Sequence, residues 1–424
     1  MNSPLQSYQA AHLARRHRAE RRFKLYGLAA LGFATLMLVI LLVTVAEKGV
    51  SGFTRHEIRL DVDGRALLQD RTRIDFYHLT QQAEYHLIGR AEYDTVGPTP
   101  DVQTKRQLAE LIGFFAQAEV KHTMLPHEAE PMIPVWVPLS DIGDLAMKGE
   151  INRKTPAELR AISDQQLAWL DQWKREGRIR RAFNSDFFLH GDSRAPEAAG
   201  FLGSIVGSLM LIVICMAAAL PVAVMAAITL EEFARKSRLA EWLEIAINNL
   251  AAVPSIIYGL LGLTVFIQVL GMPRSSALVG GLTLALLVMP VMIIAARAAI
   301  RAVPPSMRHA ATALGATRLQ VVRHHVLPYA LPGIMTGTIL SIARALGESA
   351  PLIMIGMVAF VADVPRSPLD AATVMPVQVY IWAASPQLGY AEKTSAGIIV
   401  LLLVLLALNM LAITVRKRSQ LSWN

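Results

Sequence analysis

Between Leu25 and Ala46 the chain reads LYGLAALGFATLMLVILLVTVA, 22 residues without one charged side chain. An apolar run longer than about 18 residues is read first as a transmembrane helix, because a helix satisfies its own backbone polar groups in hydrocarbon. Further apolar runs cover about 201–228, 249–270, 277–299, 331–361 and 395–415. Together they predict six spans. Only 17% of the 424 residues are charged and 53% are hydrophobic, whereas a soluble domain carries about a quarter charged residues. The chain is therefore read as an α-helical polytopic membrane protein.

The net charge of +8 suggests nucleic acid at first sight. The basic residues flank the spans, however, and basic flanks orient spans in the bilayer. No nucleic-acid partner is indicated, and membrane lipid is the expected surrounding. Residues 12–24, HLARRHRAERRFK, hold six Arg or Lys just before the first span. That run is long for a signal peptide, and no small-residue cleavage site follows it. It is read as an uncleaved span with a cytoplasmic basic arm, residues 1–24. Six spans bring both termini to one side. The short loops on that side carry Arg235, Lys236, Arg238, Arg301, Arg308, Arg318 and Arg323, followed by the basic tail 416–424. The short loops opposite carry Arg274, Arg366 and Lys393. The asymmetry places both termini in the cytoplasm and the inner membrane around the spans. Cys215 is the single cysteine and lies in an apolar run, so an intrachain disulfide is excluded.

Residues 47–200 are charged, aromatic and turn-rich. They predict a folded α+β domain, large enough for its own core, on the periplasmic side between the first and second spans. EIRLDV (57–62) alternates like a strand, and 104–120 has helical spacing. A helix over 155–177 is predicted to start at a capping box of Thr155, Pro156 and Glu158. In the second span Gly203-xxx-Gly207 and Ser204-xxx-Ser208 predict close helix packing.

No G-x-x-x-x-G-K-[ST] phosphate loop occurs. No Cys/His set has metal-ligand spacing, and His309, His324 and His325 read as solvated helix faces. Catalysis by this chain is not expected, and neither is a cofactor or metal. The loop 303–328 is more telling. Pro304 and Pro305 stop the fourth span, and a short alanine-rich helix runs to Gly315. A second short helix is predicted to end at Pro328. Two such helices around a glycine form a compact knob that can seat in a groove on a partner.

This loop resembles the coupling motif of the permease subunits of ABC importers, E-A-A-x3-G-x9-I-x-L-P. Ala310, Ala311, Gly315, Leu327 and Pro328 match it, while His309 and His325 stand where glutamate and isoleucine are usual. Arg318 lies in the same loop. With NLAAVPSIIYGLLGL (249–263), ALGATRLQVVRHHVLPYALPG (313–333) and RALGESAPL (344–352), residues 183–415 are similar to the PstA-type permeases of phosphate importers. The resemblance implies the six-helix type I permease fold, with the 47–200 domain as a departure. It implies a homologous sister permease, a dimer of ATPase subunits that carries the ATP and Mg, and a periplasmic phosphate-binding protein. In such an importer the 303–328 loop docks the ATPase.

Arg344 and Glu348 stand four apart in an otherwise uncharged stretch. A lone charge at mid-bilayer costs about 2.5–3.5 kcal/mol. On one helix face they would form either a buried salt bridge that orients helices or a site on the substrate path. A guanidinium can grip two phosphate oxygens at once, with Glu348 holding or releasing it. Pro351 is predicted to kink that helix and Ser349 to line the path. Arg297 reads as snorkelling to the interface, and Pro254 and Ser255 as a kink. Sulfate, molybdate or phosphonate remains an alternative cargo. A membrane sensor that uses its 47–200 domain remains an alternative class.

Overall fold

A computed structural model describes residues 4–65, 74–87, 102–113, 115–126, 130–156, 159–234 and 238–418. The first helix, α1 (Pro4–Gly52), joins the basic arm to the first apolar run without a break and feeds strand β1 (Thr54–Val62). In β1 the alternation puts Ile58, Leu60 and Val62 in a core, as a two-residue period requires. The helices α2 (Phe76–Leu87), α3 (Val102–Ala109) and α4 (Ala116–Met124) follow. Next come β2 (Ile133–Pro138), α5 (Asp141–Lys148), α6 (Asp164–Arg175), β3 (Ile179–Phe183) and the short α7 (Asp186–Leu189). The three strands form an antiparallel sheet in the order β2-β1-β3. Helices cover it with Leu108, Val120, Leu170 and Trp173, all fully buried.

Two expectations for this domain fail. The single helix over 104–120 is two helices, because the chain pauses at Ile112 and Gly113 to meet the end of β2: Ile112 bridges Leu139, and the Gly113 N–H donates to Pro138 O at 2.9 Å. The capping box is not at Thr155, which sits in a turn, its N–H bonded to Asn152 O. Glu158 lies outside the described residues. The box forms eight residues later, from Ser163 and Gln166. Both sites fit the motif, and tertiary contact decides: the Gln166 amide also donates to Gln107 O at 2.8 Å.

The membrane core starts at α8 (Leu202–Ile228) and continues as a π-helical turn, Thr229–Phe233. It goes on through α9 (Arg238–Ala251), α10 (Ser255–Gly262, prolonged to Val269) and α11 (Ala277–Arg301). Then come α12 (Pro305–Ala313), α13 (Arg318–Val321), α14 (Leu327–Gly347), α15 (Ala350–Met354), α16 (Met375–Ala383) and α17 (Gly389–Arg418). Among the described residues five helices are long and apolar enough to cross a membrane, or six if α9 and α10 make one bent span. The predicted third span therefore does not run straight from 249 to 270. It bends by 100° at residues 252–254, where Pro254 caps α10 and ends the run as expected of it.

At the centre α11 packs along α8 and α14. Small residues let it do so. A Cβ on Gly333 or Gly337 of α14 would fall 2.7 or 2.5 Å from the Cβ of Ala299 or Ala295. The Gly203-xxx-Gly207 stripe of α8 serves packing too. Gly207 lies against Thr373 O, and Ser208 accepts the Met375 N–H at 2.9 Å.

The 54–200 domain is tied to the core at α17. The Lys148 ammonium reaches Glu392 and Asp144, each at 2.6 Å, and Ser51 donates to Glu392 at 2.7 Å. Rings of Phe53, Phe187, Phe201, Trp382 and Tyr390 pack edge to face, stacked or tilted across the same boundary. Lys393, placed by the sequence in an outer loop, is instead buried near the start of α17, donating to Ala199 O.

Candidate functional site

The predicted docking loop folds as a knob. Pro305 opens α12 with its φ preset and no N–H to satisfy. The turn after it needs a left-handed residue, and Gly315 supplies φ of +85°. Ala311 faces inward, buried on Val303, Val321 and Val326. His309 and Ala310 point to solvent, as does Arg318. Leu314, 90% exposed, and Leu319, 66% exposed, flank the glycine.

Pro328 does not end the second helix. Thr317 and Gln320 form a capping box for α13, a π-helical turn (Val322–Val326) follows, and α14 continues through Leu327 and Pro328. Proline lacks the N–H of an α-helical bond and collides with the preceding turn. The wider π turn absorbs both defects. Arg318–Gly347 is thus one continuous helix. Leu327 and Pro328 are half-buried at its junction, and His325 is exposed.

At the other end of this helix lie Arg344, Glu348 and Ser349. Their arrangement corrects the expectation of a charge pair inside a helix. The helix ends at Gly347, and Glu348 is already extended, with φ of −84° and ψ of 115°. Pro351 kinks nothing, because it opens the short α15. The run 331–361 looked unbroken because α15 is as apolar as α14, and its Pro351 and Leu352 are buried. Arg344 Nε and Glu348 Oε1 are 3.7 Å apart, with the two side chains 38% and 23% exposed. This is a loose, open ion pair. The Arg344 charge complements the carbonyl end of the helix, whereas Glu348 opposes it. Space lies beside them: a Cβ on Gly347 would meet nothing within 4 Å. The neighbouring wall is α10, where Gly259 lies so close that a Cβ would fall 2.7 Å from Pro351 Cα. Ser349 is half-buried at the break and does not cap α15. The knob and the arginine do not meet. Leu327 and Arg344 lie about 26 Å apart along the helix at ~1.5 Å per residue.

Sequence reasoning missed one constellation. Arg297 does not snorkel. It is 7% exposed and bonds Glu231 at 2.6 Å and Glu244 at 2.8 Å. Arg308 of α12 bonds Glu232 at 2.8 Å. The signal was the adjacent pair Glu231 and Glu232 at the foot of a long apolar helix. Arg235 and Lys236 lie outside the described residues.

Two family models match the chain. A domain of unknown function, DUF3333, matches residues 10–157, and a binding-protein-dependent transport system inner membrane component matches residues 219–420. The phosphate transport system permease protein PstA of Yersinia pestis is 34% identical over 221 residues, 51% of this chain and 73% of that protein. PstA of Haemophilus influenzae is 30% identical over 229 residues, 54% of this chain and 79% of that protein. PstA of Pasteurella multocida is 29% identical over 232 residues, 54% of this chain and 81% of that protein. Among solved structures, an inward-facing MetNI methionine ABC transporter aligns with TM-score 0.41 and 18% identity, over 52% of this chain and 95% of that one.

Proposed function

The chain belongs to the PstA family of phosphate transport system permeases, and from that premise we propose that it supplies half of a membrane path for inorganic phosphate beside a homologous sister permease. The observation that carries the proposal is the continuous helix 318–347, which joins an exposed knob to an open arginine. The knob around Gly315 seats in a groove of a separate ATPase subunit through Leu314, Leu319 and His309. ATP and Mg act on that partner. A phosphate-binding protein delivers substrate to the face that carries residues 54–200, which we place in the periplasm, with both termini in the cytoplasm. Closure of the ATPase dimer moves the knob, and the path alternates between its two openings.

Phosphate meets Arg344, whose planar guanidinium can hold two oxygens. Glu348 keeps the site from becoming a trap, because at 3.7 Å it competes for the same cation. Ser349 offers a hydroxyl at the helix break.

Labelled phosphate uptake in cells lacking only this chain tests the reading, with sulfate and phosphonate as competitors in the parent cells. Uptake is expected to collapse in the deletion strain, and only phosphate should compete in the parent. Competition by sulfate or phosphonate would move the assignment to another oxyanion.

A further inference from the structure

The foot of α8 carries two consecutive carboxylates. Both lie in the π-helical turn that prolongs α8, and consecutive side chains there face different sides, so Glu231 and Glu232 address different partners. Glu231 takes Arg297 and Arg301 of α11 on its two oxygens, at 2.6 and 2.7 Å. The same arginines also reach Glu244 of α9, at 2.8 and 3.7 Å. Glu232 takes Arg308 of α12, which donates to it from Nε at 3.0 Å and from Nη2 at 2.8 Å. Arg308 donates as well to Val303 O at 2.6 Å and Ile300 O at 2.9 Å. Ile300 lies in the last turn of α11, where its carbonyl also accepts the Val303 N–H at 3.2 Å, and Val303 follows just after the helix end. The Glu232 and Arg308 side chains are 13% and 24% exposed, so water weakens the bond little.

Without these bonds, α12 would be tethered to α11 by the short link Ala302–Pro304 and by packing around Ala311. A push on the knob could then be absorbed at the link. We propose that Glu232 and Arg308 are the positioning pair that passes the movement of the docking knob into α8, while Glu231 shares it with α11 and α9. The inference rests on the importer reading above and names where the stroke enters the membrane bundle.

The test uses the whole transporter with Glu232→Ala, Arg308→Ala and the double variant. Phosphate uptake is measured per assembled complex, together with ATP hydrolysed per phosphate carried. Loss of a charge-assisted bond of this kind should lower uptake per complex about tenfold and raise the ATP spent per phosphate. A role in folding alone would reduce the amount of complex and leave that ratio unchanged. The double variant should lose no more than the worse single one, since both break the same contact. If Glu232→Ala prevents assembly, Glu232→Gln keeps the shape without the charge and is read in the same way. Unchanged uptake and ratio, or single losses that multiply in the double variant, would overturn the inference. The deletion strain separates this from the reading beneath it. Should that strain keep its phosphate uptake, the importer reading falls; if its uptake collapses while Glu232→Ala is normal, only the positioning pair falls.

Discussion

Charges gather at three levels of this molecule, and they are not held alike. At the foot of the bundle, Glu231 and Glu232 hold their arginines at 2.6–2.8 Å. At the outer end, Lys148 holds Glu392 and Asp144 at 2.6 Å, with side chains 7–15% exposed. Between them, Arg344 and Glu348 stand 3.7 Å apart and open. The closed clusters tie elements together: α8 to α11 and α12, and the added domain to α17. The open pair ties nothing, since both residues belong to one helix end. Of the three, only this pair is left loose beside open space.

The contrast breaks most sharply at Arg344. Arg344→Ala should abolish phosphate uptake while the complex assembles in normal amount. Normal uptake by assembled Arg344→Ala complexes would sink the path assignment. Lys148→Met should do the reverse. It strands two carboxylates in a nearly dry interface, a loss of about 4 kcal/mol. Thermal unfolding in detergent should show the added domain melting early, with uptake falling only as far as the complex does. An unchanged melting profile would mean that the ring cluster alone holds the domain.

The smallest effect sharpens the comparison inside the added domain. Asp144 is pushed up by burial, but the hydrogen bond from His56 and the charge of Lys148 outweigh this and hold it below the usual carboxylate range. Its stabilisation is present above the unfolded value of ~3.9 and is lost as pH falls through the lower folded value. Glu84 feels burial alone and is pushed up to about 7 from an ordinary 4.5. Between those values the folded domain binds the extra proton, so stability falls as pH rises toward 7 and is flat above. The span is about 2 kcal/mol after discounting partial exposure. Melting of the intact protein at about pH 5.5 and about pH 8 should show the difference, and Glu84→Gln should erase it.

The spans were legible because lipid demands long apolar runs, and the strand at 57–62 because its side chains alternate between core and solvent. The knob's shape was legible from Pro304, Pro305 and Gly315, whose backbone limits act locally. What escaped depends on distant partners. Nothing near Arg297 in sequence announces Glu231, 66 residues away. Apolar character alone could not show that α14 stops at Gly347, because lipid and protein interior look the same to Leu346 and Leu352. The choice of Ser163 over Thr155 as a cap turned on Gln107, 59 residues from Gln166.

The π turn that carries the chain past Pro328 has a mechanical consequence. Because the helix does not break there, residues 318 and 347 are the two ends of one rod, about 45 Å long at ~1.5 Å per residue. A seesaw tilt of about 10° around its middle would carry each end by ~4 Å, in opposite directions. The end that carries Arg344 would then swing away from the side toward which the knob is drawn, so the two ends of the bundle would move together within one element.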